Sequence, residues 1–173
     1  MSTTLIAVMQ LLVAAAFASI PLVRHRYGVR AMGRAEAELT RQGVRATVLT
    51  ENGMRFDAGG HETWAPGGVA AVMAALAGLN LAAVSWAGTA TWILQSLVLA
   101  GNCVILYSQL TAVTSVQAAF ARKGDPELAR IDVPVLLKAA EAGFPGWTWT
   151  LQNVRHIVVF GASAATLATL ALA

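Results

Sequence analysis

The sequence predicts an all-α integral membrane protein with four transmembrane helices, forming a single polytopic domain over residues 1–173. Hydrophobic residues make up 57% of the chain and charged residues only 12%, whereas soluble domains carry about 25% charged residues. Residues 63–121 contain no Asp, Glu, Lys or Arg. All Lys and Arg side chains lie within residues 24–55 or 122–155, so polar and apolar segments alternate as they do in multi-pass membrane proteins.

The first span is predicted over residues 3–23, which are apolar and are followed at once by Arg24, His25 and Arg26. About 20 apolar residues are enough for a helix to cross a bilayer. A cleaved signal peptide would carry its positive charges before the apolar run, so we expect an uncleaved span. If the segment were cleaved, the topology would have to be redrawn.

The first polar segment, residues 24–66, is expected on the cytoplasmic side. Within it, residues 29–42 favour a helix that Gly43 ends. Residues 45–50 and 54–58 then predict the two strands of a small β-hairpin, because Asn52-Gly53 is a strong hairpin-turn signal.

An isolated two-stranded hairpin is marginal in water. We therefore expect this one to rest on the second polar segment, on the membrane surface or on a partner. The Gly59-Gly60-His61-Glu62 sequence lacks the strand and helix context of a phosphate-binding loop and is interpreted as a flexible link.

The charge-free stretch predicts a second span over residues 68–86 and a third over 91–120, joined by a turn at residues 87–89. Trp86 and Trp92 flank that turn. Tryptophans are enriched at the edges of membranes, so their positions favour a membrane hairpin.

The third predicted span carries an amide every seven residues, at Gln95, Asn102 and Gln109. Seven residues are two helical turns, so the three amides share one face. A carboxamide facing lipid would leave strong donors and acceptors unpaired, so this face is expected to meet protein or water. Contact between helices or between copies of the chain is one interpretation, and a water-lined pathway is the other.

Small residues at four-residue spacing predict faces where another helix can approach closely. These residues are Ala74, Gly78 and Ala82 in the second span, and Gly161 and Ala165 in the fourth. Asn80 lies nearby, and we expect it to pair across the hairpin.

The second polar segment, residues 122–153, returns the chain to the cytoplasmic side. Asp132 is expected to cap a short helix that runs to Glu141. The fourth span is predicted over residues 154–173. With every cation in the two polar segments, the positive-inside rule places both termini outside.

The basic balance, with a net charge of +3 and a pI near 9.6, is explained by cations that contact anionic lipid headgroups, so no nucleic-acid partner is expected. The residues assigned to headgroup contact are Arg24, Arg26, Arg122 and Arg155. The excess of Arg over Lys, ten to two, favours a bacterial source and hence the cytoplasmic membrane.

No sequence pattern identifies a reaction. GxSxG, HExxH and acidic metal-binding motifs are missing from the sequence, so no catalytic residue, metal or cofactor is predicted. His25 and His156, both expected near cytoplasmic helix ends, are the candidates for a bis-histidine haem site.

The functional hypothesis is a non-catalytic accessory or assembly subunit of a larger integral membrane complex, such as a respiratory, transport or cell-envelope assembly. Its expected partners are membrane lipids and other integral membrane proteins or further copies of itself. A homo-oligomeric channel or small transporter is the alternative, with the amides of the third span lining water. A membrane enzyme acting on lipid headgroups is a second alternative, so whether the chain is an enzyme stays open.

Overall fold

A computed structural model describes residues 2–58 and 61–172, and over these residues the chain is helical with no strand. Gly59 and Gly60 of the predicted flexible link lie outside the described residues. The helices are α1 (Ser2–Arg41), α2 (Val48–Glu51), α3 (His61–Leu81), α4 (Ala87–Leu110), α5 (Ala112–Lys123), a 3-10 turn (Leu128–Arg130), α6 (Val133–Glu141) and α7 (Trp147–Ala171). The predicted all-α class is confirmed.

Among the residues that the structure describes, four helices are long and apolar enough to cross a membrane, as the sequence predicted. They are Thr3–Arg41, Thr63–Leu81, Ala87–Leu110 and Trp147–Ala171. These four helices are compatible with a multi-pass membrane protein.

The chain divides into two compact units. Unit 1 comprises Met1–Pro21, His61–Leu106 and Trp149–Ala173. Unit 2 comprises Leu22–Gly60 and Tyr107–Thr148.

The two segments predicted as helical, residues 3–23 and 29–42, are both helical, and they belong to one helix, because α1 is continuous from Ser2 to Arg41. Pro21 lies inside it and removes one backbone hydrogen bond. Buried residues hold the helix on both sides of the proline, with Phe17 in the core of unit 1 and Ala35 in that of unit 2.

Gly43 ends α1 as predicted. Its φ is +72°, and its N–H bonds the Thr40 carbonyl at 3.0 Å while the Val44 N–H bonds the Leu39 carbonyl at 2.9 Å. This pair of bonds is a Schellman cap.

The predicted β-hairpin at residues 45–58 was wrong, because Val48–Glu51 is a short helix. Gly53, with φ +73°, ends it, and the Met54 N–H bonds the Leu49 carbonyl at 2.8 Å. Helix caps and tight hairpin turns both need a positive φ, so Asn-Gly serves either one. Burial of Val48 and Leu49 in the core of unit 2 favours the helix.

The turn between α3 and α4 lies earlier than predicted. Ala87 and Gly88 are the first residues of α4, and the break falls after Leu81. Ala83 adopts a left-handed φ of 53°, and its N–H bonds the Asn80 carbonyl at 3.1 Å. Alanine occupies a position that usually needs glycine, so this turn carries no residue that would predict it.

The third span was predicted over residues 91–120, but the helix there ends earlier, at Leu110. Thr111, with φ −107° and ψ 17°, separates α4 from α5. At the other end, α7 begins at Trp147, so the fourth span, predicted to start at residue 154, begins within a longer helix.

Unit 2 has its own apolar core. Its fully buried members include Leu39, Leu49, Leu128 and Leu136, which come from both polar segments of the chain. Polar contacts join the same segments, since the Arg45 guanidinium lies 2.6 Å from Glu127 Oε2. Residues 45–58 therefore rest on the second polar segment, which was one of the three supports expected for them.

Helix α6 confirms the predicted cap, because Asp132 Oδ1 accepts from the Val135 N–H at 3.2 Å. Gly143 follows α6 at a point of very close approach to α1. A Cβ built on Gly143 would lie 2.3 Å from Ala31 Cα and 2.6 Å from Ala31 N. Only glycine fits this contact.

Candidate functional site

The buried polar side chains of the described residues all lie in unit 1. They are Gln10, Asn80, Thr91, Gln95, Asn102, His156, Ser163 and Thr166. Because α4 and α7 together supply six of them, we call the surface between these two helices the polar seam of unit 1.

One seam residue, Thr91, forms a polar triad with Gln10 and Asn80 that links α1, α3 and α4. Asn80 Nδ2 donates to Thr91 Oγ1 at 2.9 Å and to Gln10 Oε1 at 3.1 Å, and Gln10 Nε2 donates to Thr91 Oγ1 at 3.1 Å. Thr91 in turn donates to the Ala87 carbonyl at 2.8 Å. This hydroxyl uses its one donor and both lone pairs, so the triad is closely satisfied.

Asn80 thus pairs across the α3–α4 turn. Gln10 and Thr91 were not among the predicted contact residues. Gln10 could have been predicted as a contact residue, because a single amide in an otherwise apolar span needs a protein partner.

The middle of the seam joins α4 to α7 through one hydrogen bond, from Gln95 Nε2 to Ser163 Oγ at 2.7 Å. Gln95 Oε1 and Thr166 Oγ1 have no hydrogen-bond partner among the described residues. Both residues are fully buried. This level of the seam therefore offers two acceptors, Gln95 Oε1 and Thr166 Oγ1, and one donor, the Thr166 hydroxyl, for further hydrogen bonds.

Asn102 lies two turns further along α4 and is 1% exposed. Neither its Oδ1 nor its Nδ2 has a hydrogen-bond partner within the described part of the chain. Gln109, the third amide of the stripe, is half-buried. The stripe therefore turns into the protein at Gln95 and Asn102.

The two candidate haem ligands have different surroundings. His25 is exposed and belongs to unit 2, whereas His156 is buried in unit 1. The His156 ring stacks on Phe160 with centroids 6.4 Å apart. The residues that the structure describes contain no group of three or more His, Cys, Asp or Glu side chains able to hold a metal.

The small residues predicted to pack against another helix lie on the outside. Ala74 and Gly78 are exposed on α3, Ala82 is exposed in the turn just after it, and Gly161 and Ala165 are exposed on α7. A Cβ on either glycine would meet nothing within 4 Å. Inside the chain α3 packs with a different face, which includes Ala70 and Met73.

The four arginines assigned to headgroups differ in their contacts. Arg24 donates to the Arg55 carbonyl at 2.9 Å and to the Asp57 carbonyl at 3.0 Å, so it also joins α1 to the segment after α2. Arg26 and Arg122 are exposed, and Arg155 is half-buried.

No protein-family model, curated protein or solved structure matches the chain. The chemistry of the site therefore rests on its own residues. The described groups of the seam are amides, hydroxyls and one imidazole, which can bind a molecule through hydrogen bonds. Acid–base catalysis would ask for a carboxylate near the histidine, and the described seam contributes none.

Proposed function

We propose that the chain is a non-catalytic subunit of a larger integral membrane complex. The observation that carries this proposal is the exposure of a small-residue face, formed by Ala74 and Gly78 on α3 and by Ala82 just after its end. Such faces let two helix backbones approach closely inside a membrane, and this face is not used within the chain. The respiratory, transport or cell-envelope character of the complex is part of the proposal.

The extent of exposed helix surface supports the same function. Between 17% and 33% of the residues in the apolar window of each candidate span are buried inside the chain. Most of this surface is left for lipid or for other membrane helices. The small size of the segment at residues 45–58 does not add support, because that segment already packs within unit 2.

We place the chain in the cytoplasmic membrane of a bacterium, with both polar segments inside and both termini outside. Every Lys and Arg except Arg155 falls in unit 2, which is the distribution that the positive-inside rule associates with the cytoplasmic side. Anionic lipid headgroups are the proposed contacts of the exposed Arg26 and Arg122. A carboxy-terminal alkaline phosphatase fusion would be active in this topology, and an inactive, expressed fusion would reverse it.

Purification from native membranes in a mild detergent, followed by mass spectrometry, tests the subunit proposal. We expect larger membrane proteins to be recovered in reproducible stoichiometric amounts. Gly78→Leu should lose them, because leucine fills the groove on α3. Gly101→Leu is the matched control, since Gly101 is an exposed helical glycine on α4 with nothing within 4 Å.

A monodisperse, monomeric chain without partners would contradict the proposal. Recovery of the chain only with copies of itself would favour the alternative, a homo-oligomeric channel or small transporter. In that case Gly78→Leu should convert the oligomer to monomer while Gly101→Leu leaves it unchanged.

A further inference from the structure

We propose that the polar seam of unit 1 binds internal water at two separate levels, one at Asn102 and the other beside Gln95 and Thr166. The inference concerns the interior of one chain, so it does not rest on the proposed subunit function. It assigns a ligand to buried polar atoms that have no hydrogen-bond partner among the described residues.

Asn102 provides the clearest site. Its carboxamide has two N–H donors and an oxygen with two lone pairs, it is 1% exposed, and it has no protein partner among the described residues. Burying an amide without a hydrogen bond costs about 2–7 kcal/mol. Native proteins satisfy nearly all such groups, and a buried water with two to four polar partners is the usual means.

The second level lies further along the seam. Gln95 Nε2 is held by Ser163 at 2.7 Å, which leaves Gln95 Oε1 and Thr166 Oγ1 available. Thr166 follows Ser163 by three residues, so its hydroxyl lies about 4–5 Å further along α7. Water can donate to Gln95 Oε1 and accept from the Thr166 hydroxyl, through one molecule or through two neighbouring molecules.

An apolar layer separates the two levels. Gln95 and Asn102 are seven residues apart, which is about 10 Å along the helix axis, so their amides cannot bond each other. Between them Val98 packs against the core cluster in which Val159 is completely buried. The seam therefore holds two separate sites rather than a continuous file of water.

The distance between the Gln95 and Asn102 carboxamides also determines which kind of ligand can bind in the seam. A metal cation would need several oxygen ligands within about 2.6 Å, whereas the two carboxamide oxygens are about 10 Å apart along the helix. Water both donates and accepts, and so it matches an amide that presents both kinds of group. A small neutral hydrogen-bonding molecule is thus favoured over an ion.

Water-edited solid-state NMR of the full chain in lipid bilayers tests the Asn102 site, with 15N-labelled asparagine and water itself as the probe. Asn80 is an internal control, because its Nδ2 already donates to Thr91, Gln10 and the Leu76 carbonyl. We expect polarisation from water to reach the Asn102 amide at least about three times faster than the Asn80 amide, as for an amide in contact with bound water. Asn102→Leu identifies its signal.

The control is stringent because Asn80 lies one residue before the end of α3, whereas Asn102 lies eight residues before the end of α4. Nearness to bulk water would therefore favour Asn80. Build-up for Asn102 as slow as for Asn80 would overturn the site. The second level is tested in the same way with 15N-labelled glutamine. The build-up rate of the Gln95 amide is compared with that of the triad residue Gln10, and equal rates would overturn the second water site.

Discussion

Units 1 and 2 distribute polar and apolar side chains in opposite ways. In unit 2 the fully buried side chains are apolar, such as Leu39 and Leu136, and the charges lie outside. In unit 1 the interior includes Gln10, Asn80 and Gln95, while large apolar side chains such as Ile93 and Leu97 are exposed.

Different forces hold the two units together. Burial of apolar surface stabilises a protein folded in water, and the core of unit 2 fits that rule. A helix bundle surrounded by lipid gains little from the hydrophobic effect and depends on close packing and interhelical hydrogen bonds. Substitutions should therefore act through shape and burial in unit 2 and through hydrogen bonding in unit 1.

The largest expected effect is at Gly143 in unit 2. Gly143→Ala would place a methyl group 2.3 Å from Ala31 Cα, and because that atom is backbone, α6 and α1 would have to separate. We expect a loss of about 3 kcal/mol or more, which lowers the melting temperature by about 6–12 °C for a chain of this size. Circular dichroism in mild detergent measures it.

Gly146→Ala provides the control for that substitution. A Cβ at Gly146 meets nothing within 4 Å, so its melting temperature should stay near that of the wild type. Limited proteolysis should show new cleavage within residues 22–58 or 107–148 for Gly143→Ala alone. Equal melting temperatures for the two variants would show that unit 2 does not depend on this close contact.

The second expected effect is at Asn80 in unit 1. Asn80→Leu keeps an apolar side chain of similar size but leaves Gln10 Oε1 without its donor. We expect a loss of about 1–2 kcal/mol in detergent unfolding titrated with dodecyl sulfate. Asn153→Leu, at an exposed position on α7, should change stability by about 0.5 kcal/mol or less.

A double substitution sharpens this test. If the triad acts as one hydrogen-bonded group, Gln10→Leu combined with Asn80→Leu should cost less than the sum of the two single changes. Strict additivity, or an unchanged stability for Asn80→Leu, would mean that packing alone holds unit 1. The contrast between the units would then disappear.

The third effect is a gain in stability at the α3–α4 turn. Ala83 has φ 53°, a conformation that costs a residue with a Cβ roughly 1–2 kcal/mol, while glycine adopts it freely. Ala83→Gly should therefore raise stability by about 0.5–1 kcal/mol in the same titration. Ala75→Gly, within α3 on an exposed face, should lower it by a similar amount, and a loss at both positions would contradict the backbone argument.

The sequence predicted the helical class and the four apolar helices because hydropathy and length report directly on them. It misplaced the turns for physical reasons. Ala83 adopts a left-handed conformation without glycine, and Asn52-Gly53 caps a helix where the same dipeptide also suits a hairpin. Such choices depend on which neighbours are buried, and single-residue preferences do not contain that information.

For the seam, the seven-residue spacing was sufficient to predict that Gln95 and Asn102 share a face. Their hydrogen bonds could not be predicted, because Ser163 and Thr166 come from a helix distant in sequence. The register between α4 and α7 decides that Gln95 pairs with Ser163. An isolated Ser or Thr in an apolar helix gives no sign of its partner, since it can also bond its own helix carbonyls.

The smallest expected effect is the pH dependence of an ion pair on the surface of unit 2. The Arg45 backbone N–H bonds Glu127 Oε1 at 2.8 Å and the Arg45 guanidinium bonds Oε2 at 2.6 Å, and these bonds hold the pKa of Glu127 below its usual value. A lowered folded-state pKa contributes stability that is fully present above the unfolded pKa and is lost as pH falls through the folded value. Glu127→Gln should therefore melt slightly below the wild type at pH 7, and the difference should vanish in acid.

Arg55→Gln, which leaves the Arg45–Glu127 pair in place, serves as the control. A difference between Glu127→Gln and the wild type that grew toward low pH would contradict the assigned sign, because protonated Glu127 can no longer pair with Arg45 as a carboxylate.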